Sequence, residues 1–350
     1  MKVGLVLGAG GVMGGAWLTG GLEALARETG WDPASADHIV GTSAGSMMGA
    51  LLAAGIPPWF MVAHSAGEVF EGLAGPDGRE AVGASRSGGA VFRLDRRIPR
   101  IGPGSWSMIA RALGKPGPRT PTAVLCGLMP EGVISTEPLK DTIRRAVPDA
   151  WPNHPNLWVI ASDYTTGERV PFGRAGSPPA EIGEAVAASC AIPGFYRPVT
   201  IGGRRYVDGG VWSTSNLDIV IDEPLDLVIC LNPTSSLHPP QAWNPAHQVA
   251  HFFRRTSGRV LGSEAKLLRA VGKEVVLVQP TDEDHAVMGA NLMATRNRNQ
   301  VIQTAINTVG RQLTEPGVKE LLRDLPAGEP HKLARPDGPP ESWPQIGARA

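Results

Sequence analysis

The sequence predicts an α/β fold, a largely parallel sheet covered by helices on both faces. Short apolar runs bounded by turn signals recur along the chain. Helical stretches separate them, which leaves room for parallel crossovers and makes each strand a buried, near-continuous hydrophobic run. The 44 glycines and 32 prolines lie between these segments without a periodic repeat. A chain of 350 residues can bury a sizeable core in one large domain or two smaller ones.

The elements follow in order. Val3–Leu7 comes directly after Lys2 and leads into a glycine-rich turn, so it reads as a first strand rather than a signal peptide. A helix is expected over Gly15–Glu28, a strand over His38–Val40 and a helix over Ser46–Ala54. Helices over Pro138–Ala146 and Ala180–Ser189 flank a strand over Leu157–Ser162, whose continuation through Thr165-Thr166-Gly167-Glu168 to Phe172 reads as a hairpin. Strands over Leu227–Leu231 and Val275–Val278 alternate with helices over Ala246–Val271 and Ala294–Gln312. Residues 1–312 thus read as one domain, and residues 313–350 as a Pro-rich extension expected to be partly disordered. Residues 71–130 break the rhythm with Gly, Ser, Pro and Arg, and are expected to form either a cap over an active site or a plain surface excursion.

Charge and cysteine content narrow the function classes. Lys+Arg and Asp+Glu balance at 33 each, so no global field draws the chain to nucleic acid or anionic lipid. Cys126, Cys190 and Cys230 cannot all pair and lie among small or apolar residues, which favours a reducing compartment. No run of 18 apolar residues is present, so the expectation is a cytoplasmic protein, at most peripheral to a membrane.

Gly41-Thr42-Ser43-Ala44-Gly45 is the most informative stretch. Placed between an apolar run and a helical one, it reads as a nucleophile elbow, with Ser43 held out at a sharp strand-to-helix turn and Gly41 and Gly45 permitting the close approach. Gly8-Ala9-Gly10-Gly11-Val12-Met13-Gly14 opens the preceding helix. The dinucleotide pattern fails because Met13 occupies its third glycine position, and no lysine completes a phosphate loop. What remains is either an anion cradle of backbone N–H groups or a simple glycine turn. None of the eight histidines has the flanking pattern of a triad histidine. Asp208, before Gly209 and Gly210, ends a short alternating strand; it reads either as a carboxylate presented at a turn or as an Asx cap of the two glycines.

Chain order bears on these choices. In α/β-hydrolases the elbow follows several strands, whereas here one strand, one helix and a glycine loop precede it. With the loop Gly8 to Gly14, the elbow Gly41 to Gly45 and Asp208-Gly209-Gly210 in that order, the chain resembles the patatin-like phospholipases. Ala187 to Phe195 and Met288 to Met293 extend the resemblance, which runs from residue 3 to about residue 310. It implies a three-layer sandwich with a mostly parallel central sheet flanked by helices. It also implies a serine acyl hydrolase of lipid esters with a Ser43/Asp208 dyad, no histidine, no metal and no cofactor. Gly8, Gly10 and Gly11 would form the oxyanion hole, joined by the N–H of Ala44. The implied partner is a lipid or ester substrate, with peripheral membrane contact and no nucleic acid. An acyltransferase with the same acyl-enzyme and a non-catalytic lipid-binding module are the alternatives. One departure stands out: Met13 occupies the place where the family commonly carries Arg or Lys. A dyad further implies an acid limb of kcat/KM below that of a histidine base, unless burial raises Asp208 by more than about two units.

Two apolar clusters suggest an acyl-chain channel, a lipid-docking surface or plain core. They are Trp59 to Val62, just past the elbow helix, and Trp106 to Ile109, inside the insertion.

Overall fold

The computed structural model describes residues 1–68, 92–100, 102–114, 117, 119–236 and 245–335, with residues 245–253 described by their backbone. The part of the expected cap over 71–91 and the end of the tail lie outside the described residues.

In chain order the elements are β1 (Val3–Leu7), α1 (Gly11–Thr29), β2 (His38–Thr42), α2 (Ala44–Ala53), α3 (Pro58–Ala66), α4 (Trp106–Gly114), α5 (Thr120–Leu128), α6 (Glu137–Ala146), β3 (Leu157–Asp163), β4 (Arg169–Phe172), α7 (Ile182–Ser189), β5 (Val199–Ile201), β6 (Arg204–Asp208), β7 (Leu227–Leu231), α8 (Pro245–Ala270), β8 (Glu274–Val278), α9 (Asp282–Met288), α10 (Arg298–Leu313), α11 (Pro316–Leu322) and α12 (Pro330–Leu333). Five strands in the order β3-β2-β1-β7-β8 pair in parallel, and β4, β5 and β6 add antiparallel pairing at the β3 side.

Period-two alternation sorts the strand side chains onto two faces. Leu5, Leu7, Ile39, Val159 and Ile229 pack into one core with residues of α1, α2, α7 and α10. Val6, Val40, Trp158, Ile160, Val228 and Cys230 pack into a second core with Leu261, Ala265 and Leu268 of α8. The result is the three-layer sandwich with a mostly parallel sheet. α1 starts at Gly11, four residues earlier than expected, because the glycine loop itself turns into the helix and the Gly14 N–H donates to Gly10 O at 2.9 Å.

The register around β3 positions the site. Ile160 pairs with Thr42 of β2 and Pro171 of β4, and Ala161 pairs with Val170 of β4 and Asp208 of β6. A strand has two edges, so β2 and β6 lie in tandem along the same edge of β3, with β4 on the other. The carboxyl ends of β2 and β6 therefore meet head to head.

In the described part of the insertion, α4 and α5 form a helix pair that its composition did not suggest. Met108, Ala112 and Ala123 of that pair pack on Tyr164, Val207 and Val211. Trp59 and Met61 of α3 are buried in the fold. Beyond residue 312, α11 and α12 are helical, and the Lys332 Nζ and the His331 carbonyl bind Gly55 O and Trp59 Nε1 at 2.9 and 3.0 Å. Among the described residues no single helix is long and apolar enough to cross a membrane.

Candidate active site

The elbow forms where β2 runs out at Thr42 and α2 begins at Ala44. Ser43 between them has φ 53° and ψ −119°, a region that side-chain-bearing residues seldom occupy and that costs about 1–3 kcal/mol. Contacts hold it there. A Cβ at Gly45 would stand 2.0 Å from Leu7 O, and one at Gly41 would stand 2.5 Å from Gly45 O, so β1 and α2 close on the turn only with glycine at both positions. The Ser43 N–H donates to Ser189 Oγ at 2.8 Å, and that hydroxyl donates to Ile160 O at 2.6 Å. The Ser46 hydroxyl donates to Ser43 O at 2.6 Å.

The tandem edge brings Asp208 to the elbow. Its carboxyl is buried, interacts with the Ser43 hydroxyl and accepts the Gly210 N–H at Oδ1, 2.7 Å away. Both readings of Asp208 thus hold at once: an Asx-type cap on one oxygen and a carboxylate facing the serine. Burial pushes its pKa up from 3.8 to about 6, against the opposing pull of the Ser43 and Gly210 hydrogen bonds. A Cβ at Gly209 would meet Ile160 O at 2.4 Å, so the chain leaves the site only through glycine.

The glycine loop runs past the same point. The Cβ of Ala9 lies 3.5 Å from where a Gly210 Cβ would be. Among the described residues, the N–H groups of Gly10 and Gly11 meet no acceptor, and neither does that of Ala44. Gly11 has φ 60°, and a Cβ there would lie 2.9 Å from Leu292 O.

Gly8 is a correction to the expected oxyanion hole. Its N–H donates to Leu231 O at 2.9 Å, extending the β1–β7 pairing, so it has no hydrogen to offer an anion. A Cβ at Gly8 would strike Asn232 Oδ1 at 2.4 Å, which makes it a packing glycine. Met13 is buried in the main core, so this position turns away from solvent and presents no cation.

The described histidines have other surroundings. His38 stands edge-on to Trp158 and 3.6 Å from Glu223, His64 stacks on Phe60, the His154 ring meets Ala36 O, His331 lies near Glu329, and His285 is buried in α9. The side chains of His238, His247 and His251 lie outside the described residues.

Two positioning residues were not singled out from the sequence. Ser189 is the acceptor for the Ser43 N–H. Asn216, at φ 49° and fully buried, donates through Nδ2 to Thr42 Oγ1 at 3.0 Å and to Ser213 O at 2.6 Å, and accepts Arg169 at Oδ1. Arg169 in turn pairs with Asp218, and Asp218 with Arg119 at the start of α5. The only local signal at Asn216 is its ease in the left-handed region, which any turn shares.

Glycine loop, elbow and Asp208 all fall within residues 5–221, the span matched by the model of the patatin-like phospholipase family. The match covers more than half of the chain, and this protein is a member of that family.

Proposed function

We propose that the chain hydrolyses carboxylic esters of lipids through a Ser43/Asp208 dyad. Family membership supports acyl hydrolase chemistry on lipid esters in general. The observation that carries the finer reading is the meeting of β2 and β6 on one edge of β3, which sets the Ser43 hydroxyl against a buried carboxylate beside unfilled N–H groups.

Ser43 Oγ attacks the ester carbonyl carbon while its proton passes to Asp208. The N–H groups of Gly10, Gly11 and Ala44 receive the negative oxygen, at a helix N-terminus in two cases. Collapse breaks the C–O bond, and Asp208 returns the proton to the leaving alcohol. Water then attacks the acyl-enzyme carbonyl and gives a proton to Asp208; collapse breaks the bond from the acyl carbon to Ser43 Oγ, Asp208 passes that proton to Oγ, and the carboxylic acid leaves. A carboxylate whose pKa stands at about 6 is ionised at neutral pH and is a stronger base than a solvated one. The catalytic domain takes in residues 1–312, and α4 and α5 cap it.

The test is hydrolysis of a soluble p-nitrophenyl ester by the parent, Ser43→Ala and Asp208→Asn. Each substitution is expected to lower kcat by about 10³-fold or more. Activity equal in all three overturns the dyad.

A further inference from the structure

The α4–α5 pair carries an outer face that the fold does not use. Trp106, Ala110 and Leu113 recur at i, i+4 and i+7 on α4, and Pro121, Leu125 and Leu128 do so on α5; all six are exposed. Outer stripes at this spacing are ordinarily polar. Eight of the eleven exposed large hydrophobic side chains among the described residues fall within residues 92–133. Trp106 is 68% exposed and Ile98 89%.

The same segment breaks the charge balance of the chain. Residues 92–133 hold seven Lys+Arg against two Asp+Glu, whereas the whole chain has 33 of each. The two acids are already shared: Asp95 pairs with Arg97 and Arg197, and Glu131 with Arg100, Arg197 and Arg205. Arg93 and Arg96 are exposed and pair with no acid among the described residues.

We infer that this face docks on an anionic lipid bilayer. Exposed aromatic and leucyl side chains, in a segment that also carries exposed arginines with no acid partner among the described residues, are the chemistry of an interfacial surface. Arg111 and Arg119 pair with Glu168 and with Asp218 and Glu264 from outside the segment. The charge left over among the described residues is that of Arg93 and Arg96, which as like charge on like disfavours a second copy of the chain as the occupant. The inner side of α4 and α5 rests on Val207 and Val211, which bracket Asp208, so docking here sets the reacting site beside the bilayer. The inference rests on the lipid-ester reading only for the purpose of the surface.

The experiment is flotation of the full chain, carrying Ser43→Ala so that lipid stays intact, with vesicles of phosphatidylcholine alone or mixed with phosphatidylglycerol. Binding is expected to the mixed vesicles, falling as salt rises. Arg93→Glu/Arg96→Glu and, separately, Trp106→Ala/Leu125→Ser are each expected to lower it about tenfold. With Ser43 restored, both pairs should hydrolyse the soluble ester at the parental rate. No flotation with anionic vesicles, or flotation untouched by both pairs, overturns the proposal. So does a dimer in sedimentation that the same pairs dissolve, which would make the face an interface between copies. Loss of the dyad reading would show in the soluble ester assay and leave flotation unchanged.

Discussion

The hydroxyl of Ser189 accepts the backbone N–H of Ser43 at 2.8 Å while donating to Ile160 O at 2.6 Å. One side chain at the end of α7 thus pins the strained turn to the strand that Asp208 also pairs beside. It also means that the backbone amide of Ser43 is occupied.

Ser189→Ala leaves the buried Ser43 N–H without an acceptor, at a cost of about 1–3 kcal/mol. Urea denaturation should register that loss, and kcat on a soluble ester should fall while KM stays near the parental value. If stability and kcat both stay parental, Ser189 has no positioning role.

Ser43→Gly should raise the melting temperature while abolishing turnover. Glycine occupies φ 53°, ψ −119° without the side-chain penalty, so about 1–2 kcal/mol of strain is relieved. Ser43→Ala keeps the Cβ and should show no such gain. A glycine variant no more stable than the alanine variant would sink the idea that the elbow stores strain.

The pH profile follows from Asp208. Its carboxyl must be ionised to accept the serine proton, so kcat/KM should fall with acid through a limb near pH 6. For the proposed dyad, burial of Asp208 places this limb in the range of a histidine base, so the profile needs histidine variants beside it. Replacing each histidine in turn by Gln should leave substantial activity; one replacement as damaging as Ser43→Ala would point to a histidine base.

Stability responds to the same group with a defined sign. The folded pKa of about 6 lies above the usual 3.8, so the folded chain holds this proton more tightly. The associated stability is full below about pH 4 and is lost as pH rises through about 6, in total about 3 kcal/mol. Asp208→Asn should therefore be more stable than the parent at pH 8 by roughly that amount, and no more stable at pH 4. Denaturant titrations at both pH values check it, and an equal difference at the two would refute it.

Asn216 should matter through its hydrogen bonds as well as its backbone. Asn216→Ala strands Thr42 Oγ1 and Ser213 O and also strains the left-handed position, costing about 2–4 kcal/mol. Asn216→Gly accepts φ 49° but restores no donor, so it should recover stability only in part and kcat not at all. Full recovery of kcat in the glycine variant would assign Asn216 to the backbone alone.

Much of this protein could be read locally. The strand runs at Val3–Leu7, Leu157 onward and Leu227–Leu231 are encoded in apolar continuity, and the elbow in the spacing of Gly41 and Gly45 about Ser43, although the contact that demands glycine at 45 is with Leu7 of the distant β1. The glycines after Asp208 marked only a turn, and it was the order of the motifs along the chain that singled the aspartate out. Helices α4 and α5 were obscured by the glycines and prolines around them, although Met108 and Trp106 fall on opposite sides of a helix at the ordinary period.

What the chain alone determined was the class of fold and the order of its motifs, and it named Ser43 and Asp208 as the candidates for the proposed dyad. Tertiary structure decided which amides are taken: the Gly8 N–H is spent on β7, a strand more than 200 residues away, while those of Gly10 and Gly11 meet no acceptor among the described residues. It also decided that Met13 faces the core and that Ser189 and Asn216, 146 and 174 residues from their partners, lock the turn. The physical reason is that local sequence encodes period and turn geometry. The pairing of β2 and β6 in tandem on one edge of β3, which makes a serine and a distant carboxylate neighbours, is a long-range register that forms only when the sheet does.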